Sequence, residues 1–152
     1  MIDDFYGLAL SPATIETFLT TASNSLDAYE HEVRMKLLES PVLHADETGF
    51  YVEGKRSWLH SLSTDKLTYY GVHESRGKKA IESIGVIPHY SGVLVHDFWN
   101  AYPSYPCEHA YCIAHITREL QGIFDGFKQK LAKEMRSLLE GMYDICAQRR
   151  IT

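Results

Sequence analysis

The chain has 152 residues, 45% hydrophobic and 23% charged, with a formal net charge of −5. That length suits one domain with enough chain to bury a core, and no apolar run approaches the roughly 20 residues of a membrane span. The acidic balance argues against a chain that grips nucleic acid tightly by itself, because such domains are usually basic, but it is compatible with an acidic site that recruits cations. Cys107, Cys112 and Cys146 are too few for a disulfide framework. With an acidic Met1–Phe5 start that does not read as a signal peptide, this points to a reducing cytoplasm.

The first predicted element is a helix over 12–39. Ser11 suits the N-cap and Pro12 the first helical position, and Ile15, Phe18, Leu19, Ala22, Leu26, Tyr29, Val33 and Leu37 recur at helical steps. Asn24-Ser25 is a possible interruption, and Ser40-Pro41 ends the pattern. The period then changes to two. Strands are expected over 42–52, 57–62 and 67–73, separated by turns at Glu53–Arg56 and Thr64–Lys66, which makes an antiparallel meander. A short helix follows over 77–84. Residues 92–97 are too apolar to alternate and read as a buried parallel strand. After a loop or short helix at 99–105, a fifth strand is expected over 109–114 and a long helix from 115 to 148, whose apolar stripe is expected to pack on the sheet.

Three antiparallel strands followed by parallel additions give an α/β fold with a mixed five-stranded sheet and flanking helices. That order resembles the ribonuclease H-like fold, in which the first and fourth strands are neighbours at the sheet centre.

Two segments carry the chemistry. Leu43-His44-Ala45-Asp46-Glu47-Thr48 and Val93-Leu94-Val95-His96-Asp97 are apolar runs that deliver an aspartate, 51 residues apart. Alternation puts His44, Asp46 and Thr48 on one face of the first strand and Leu43 and Ala45 on the other. Two carboxylates from neighbouring strands repel each other unless a cation joins them, and hard oxygen donors suit Mg²⁺ or Mn²⁺. The plainer alternative is that both aspartates cap the turns after their strands.

The wording of these segments carries a resemblance. His44-Ala45-Asp46-Glu47-Thr48, Trp58-Leu59-His60, Arg76-Gly77, Gly92–Asp97 with Trp99 and Tyr102, and Cys112-Ile113-Ala114-His115-Ile116-Thr117-Arg118-Glu119 resemble, in order, the insertion sequence 66 family of bacterial DDE transposases. The likeness runs from about Ser11 to Tyr143. It implies that Asp46 and Asp97 are the first two catalytic, metal-binding acids, that Mg²⁺ (or Mn²⁺) is the cofactor, and that transposon-end and target DNA are the partners, with a possible homodimer. The family's third acid, a glutamate beyond a helical insertion, has no counterpart here. The expected organisation is therefore an N-terminal helical segment (1–40), a ribonuclease H-like sheet core (41–115) and a C-terminal helix (116–152) that starts the insertion. A truncated copy, inactive alone, is expected.

Other residues are open to two readings each. Cys107, His109, Cys112 and His115 are zinc-ligand types at short spacing, but on a strand they cannot all converge. Glu47 is expected on the face opposite Asp46, and His96 in the core. Glu119 is a possible substitute third acid, which a nuclease acting on other nucleic acids would need. Arg76, Lys78, Lys79, Lys55 and Arg56 are either phosphate contacts or a solvated face. Trp99, Tyr102 and Tyr105 either stack a base or pack as core. Against the catalytic reading stands a non-catalytic remnant that dimerises or regulates.

Overall fold

A computed structural model describes Gly7 and residues 10–149; the acidic Met1–Phe5 segment lies outside the described residues. Ser11 caps α1 (Pro12–Asn24): its side chain accepts a hydrogen bond from Thr14 N at 3.1 Å, and Pro12 opens the helix. The expected single helix over 12–39 is broken where the sequence allowed it. Ser25 and Leu26 separate α1 from α2 (Asp27–Leu38), which buries Val33 and Leu37.

Strands β1 (Val42–Val52) and β2 (Lys55–Ser63) join through Glu53-Gly54, both at positive φ (50° and 78°). That is the twist a two-residue hairpin turn requires, and glycine adopts it without steric cost. Strand β3 (Thr68–His73) completes the meander. Helix α3 (Lys78–Ile84) ends at Gly85, φ 75°, and buries Ala80, Ile81 and Ile84. Strand β4 (Val93–His96) and strand β5 (Glu108–Tyr111) follow, then α4 (Ile113–Phe127) and α5 (Lys130–Arg149).

The sheet order is β3-β2-β1-β4-β5, with β1–β2 and β2–β3 antiparallel and β1–β4 and β4–β5 parallel. This is the mixed sheet expected of a ribonuclease H-like fold, with the first and fourth strands adjacent.

The core lies on one face. Leu43 and Ala45, Leu62, and Leu94 meet Val33 and Leu37 of α2, Ile81 and Ile84 of α3, and Val86, Ile87, Tyr90, Tyr102 and Tyr105 from the connections. The opposite face leaves Val42, Tyr70 and Val72 exposed.

Two expectations at the C-terminal end are corrected. Strand β5 stops at Tyr111, not Ala114, because Cys112 is already the N-cap of α4: its carbonyl accepts from His115 N and Ile116 N, while its own N–H reaches His96 O at 2.8 Å. The helix expected over 115–148 is two helices, because Lys128 takes the left-handed conformation (φ 55°) that ends α4. Helix α5 folds back on α4, so the stripe of Leu131, Met135, Leu138, Met142 and Ile145 points to solvent and does not pack on the sheet. Between the hairpin and the open sheet face lies a cavity of about 760 Å³, walled by His44, Val95, Cys112, Thr117, Glu140 and Tyr143 among others. Among the described residues no helix is long and apolar enough to cross a membrane.

Candidate active site

Strands β1 and β4 run parallel, with Val42 opposite Val93, Leu43 opposite Leu94 and His44 opposite Val95. The pairing stops there, and Asp46 and Asp97 each lie two residues beyond its last pair. Asp46 stands on the open face, its side chain 58% exposed, while Asp97, just past the end of β4, is 17% exposed. Asp46 Oδ1 accepts from the Glu47 backbone N–H at 2.9 Å, and His115 Nε2 of α4 stands 3.9 Å from the same oxygen. Asp97 Oδ1 accepts from the Trp99 backbone N–H at 2.8 Å, and Oδ2 accepts from Arg76 Nη2 at 3.1 Å.

Glu47 shows what lies behind this pair. Alternation turns it to the core face beside Leu43 and Ala45, where its side chain is only 1% exposed. A buried carboxylate is costly unless it is paired and fully hydrogen-bonded. Arg76 Nε donates to Oε1 at 2.6 Å, and the Tyr102 hydroxyl donates to Oε2, also at 2.6 Å. Burial first, and then the Glu47, Asp97 and Asp46 carboxylates, hold the Tyr102 hydroxyl protonated far above its usual range, so it is a permanent donor. The Arg76 guanidinium also lies over the Trp99 ring at 3.9 Å and near Trp58 at 5.3 Å.

The histidines divide. His44 is exposed on the Asp46 face. His96 is buried, as expected, and stacks on Tyr102; its Nδ1 donates to the Asp97 carbonyl at 2.5 Å and its Nε2 contacts His109 Nδ1 at 2.9 Å. Burial lowers the His96 pKa, an effect opposed in part by the Asp97 carbonyl. His109 also meets Cys107 Sγ at 3.8 Å, and burial pushes the Cys107 thiol up. Cys112 is a helix cap and His115 faces Asp46, so Cys107, His109, Cys112 and His115 do not converge. Among the described residues no group of three or more His, Cys, Asp or Glu side chains could hold a metal ion. That excludes a zinc quartet and also leaves Glu119, exposed on α4, outside the site.

A divalent cation nevertheless suits what is present. Mg²⁺ commonly takes only one or two protein carboxylates and completes its octahedron with water and phosphate oxygens. Asp46 and Asp97 supply hard oxygen donors just beyond the paired stretch of β1 and β4, and the open face leaves room for the rest.

Of the expected cations, Arg76 enters the site, Arg56 lies over Trp58 at 4.4 Å, and Lys78 pairs with Glu82 at 3.7 Å. Tyr102 is core and a hydrogen-bond donor, not a base-stacking platform. The roles of Glu47 and Tyr102 escaped the sequence reading. The available signal was a carboxylate in register with Leu43 and Ala45, which at a core position demands a cationic partner.

A family model described as Transposase IS66 family, a DDE domain, matches residues 1–152. No curated protein matches the chain. Among solved structures, the integrase catalytic core domain of HTLV-2 in complex with magnesium, in its dimeric form, is 13% identical, with 64% of this chain and 81% of that chain covered and a TM-score of 0.39. Its trimeric form is 11% identical, with 64% and 80% covered and a TM-score of 0.38. An intasome of simian T-cell lymphotropic virus bound to PP2A regulatory subunit B56 gamma is 12% identical, with 64% and 46% covered and a TM-score of 0.38.

Proposed function

The chain belongs to the IS66 family of DDE transposases, and from that premise we propose that Asp46 and Asp97 are its first two catalytic acids and jointly hold Mg²⁺ or Mn²⁺. The observation that carries this reading is their placement: each carboxylate lies two residues past the last paired position of two adjacent parallel strands, His44 opposite Val95, with Asp46 on the open face. A divalent cation bound there would polarise a phosphoryl oxygen and lower the pKa of a bound water or hydroxyl.

The chain's own residues do the rest. Asp97 is oriented by the Trp99 N–H and by Arg76. Asp46 is oriented by the Glu47 N–H and faced by His115. The substrate class is DNA, in strand cleavage and strand transfer at transposon ends, within a bacterial cytoplasm and with a homodimer as the working assembly. The described residues bring no third acid to the pair, so the 152 residues alone are expected to bind the cation without completing strand transfer.

Metal titration with thermal melting tests the reading. With cation about 100-fold above its dissociation constant, binding stabilises the fold by about 2.7 kcal/mol, about 5–10 °C for a chain of this size. The shift is expected in the wild type and lost in Asp97→Ala. An equal shift in Asp97→Ala overturns the assignment of the site. No shift in either protein favours the non-catalytic remnant.

A further inference from the structure

Asp46 and Glu47 are consecutive carboxylates that a strand sends to opposite sides, one to solvent and one to the core. The buried one is tied to the other catalytic aspartate. We propose that Glu47 and Tyr102 are positioning residues that act on Asp97 through Arg76.

Arg76 is fixed from several sides: its Nε on Glu47 Oε1 at 2.6 Å, its Nη2 on Asp97 Oδ2 at 3.1 Å, and its plane over Trp99 at 3.9 Å. A guanidinium is a rigid planar fork, so fixing Nε fixes the direction of Nη2. Tyr102 fixes Glu47 in turn by holding its second oxygen. With the Trp99 N–H on Oδ1, both oxygens of Asp97 are aimed, and each keeps a lone pair for a cation.

Charge gives Glu47 a second effect. Arg76 alone beside Asp97 would repel a divalent cation, and the Glu47 carboxylate offsets that charge from the core side. Glu47 is not itself placed as a ligand, since its side chain is 1% exposed, against 17% for Asp97, and is closed off from the open face. A pair that only stapled the fold would affect stability and leave cation affinity unchanged.

The inference rests on the proposed cation site, and the test separates the two. Mn²⁺ affinity is measured by electron paramagnetic resonance of the free ion, well below each protein's melting transition. Asp97→Asn is expected to abolish binding. Glu47→Gln is expected to weaken it about tenfold or more, equivalent to about 1.4 kcal/mol. Tyr102→Phe removes one hydrogen bond without changing charge and is expected to weaken it about two- to fivefold. The double variant Glu47→Gln/Arg76→Gln removes the charged pair together and is expected to stay weaker than wild type.

Loss of binding in Asp97→Asn with wild-type affinity in Glu47→Gln overturns the positioning role and leaves the cation site standing. Full recovery in the double variant also overturns it, because Glu47 would then only have offset Arg76. If Glu47→Gln does not fold, unchanged affinity in Tyr102→Phe decides against the proposal. Wild-type affinity in Asp97→Asn, or no Mn²⁺ binding by the wild type, overturns the cation site and the positioning role with it.

Discussion

One face of the sheet packs Leu43, Ala45, Leu62 and Leu94 against α2, α3 and the tyrosines of the connections, while the other leaves Tyr70 and Val72 in solvent and Val42 beside a cavity under the helical hairpin. Strand β1 contributes to both. Its burial alternates through Leu43, Ala45 and Glu47 on the packed side and His44, Asp46 and Thr48 on the open side. The packed face gives a carboxylate a fixed partner, and the open face gives one access to ions and substrate. A site that needs both rigid geometry and an open approach is served by a strand that borders the two.

Substitution tests that contrast most sharply. Leu94→Ala, at a fully buried position, is expected to cost about 2–5 kcal/mol in urea unfolding, whereas Val72→Ala, 64% exposed, is expected to stay within about 0.5 kcal/mol. Similar losses at both positions would mean that the open face is covered in solution.

A smaller effect is expected where the backbone itself meets the core. A Cβ at Gly71 would stand 2.8 Å and 2.9 Å from the Ile84 side chain of α3. Gly71→Ala is therefore expected to cost about 1–3 kcal/mol by overpacking, with part recovered when Ile84→Val is added. A neutral Gly71→Ala would show that α3 yields easily and that the packed face is looser than drawn.

The mildest probe is chemical. Cys107 is buried with its thiol pushed up, and Cys146 is exposed on α5. Iodoacetamide near neutral pH is expected to label Cys146 well before Cys107, as read by mass spectrometry of timed samples. Equal rates would place Cys107 outside the core.

Much of the frame is legible in the chain because it depends on short periods. Period-two alternation set the face of Asp46 and of Glu47, the apolar run of Val93–Val95 marked a buried strand, and Ser11-Pro12 marked a helix start. The element order suggested which strands would be neighbours. The two helix breaks differ: Asn24-Ser25 marked the first as a possible interruption, whereas Lys128 adopts a positive φ that its side chain does not announce.

The sequence by itself determined the strands, the two aspartates and the family resemblance, because each is written in neighbouring residues and their spacing. Only the tertiary structure decided what surrounds the aspartates. Arg76 lies 29 residues from Glu47 and 21 from Asp97, and Tyr102 lies 55 from Glu47, so no local pattern encodes their meeting. The outward turn of the α5 stripe was decided in the same way, by the fold-back at Lys128. Both are consequences of chain closure, in which the burial of one carboxylate selects its partners from distant segments.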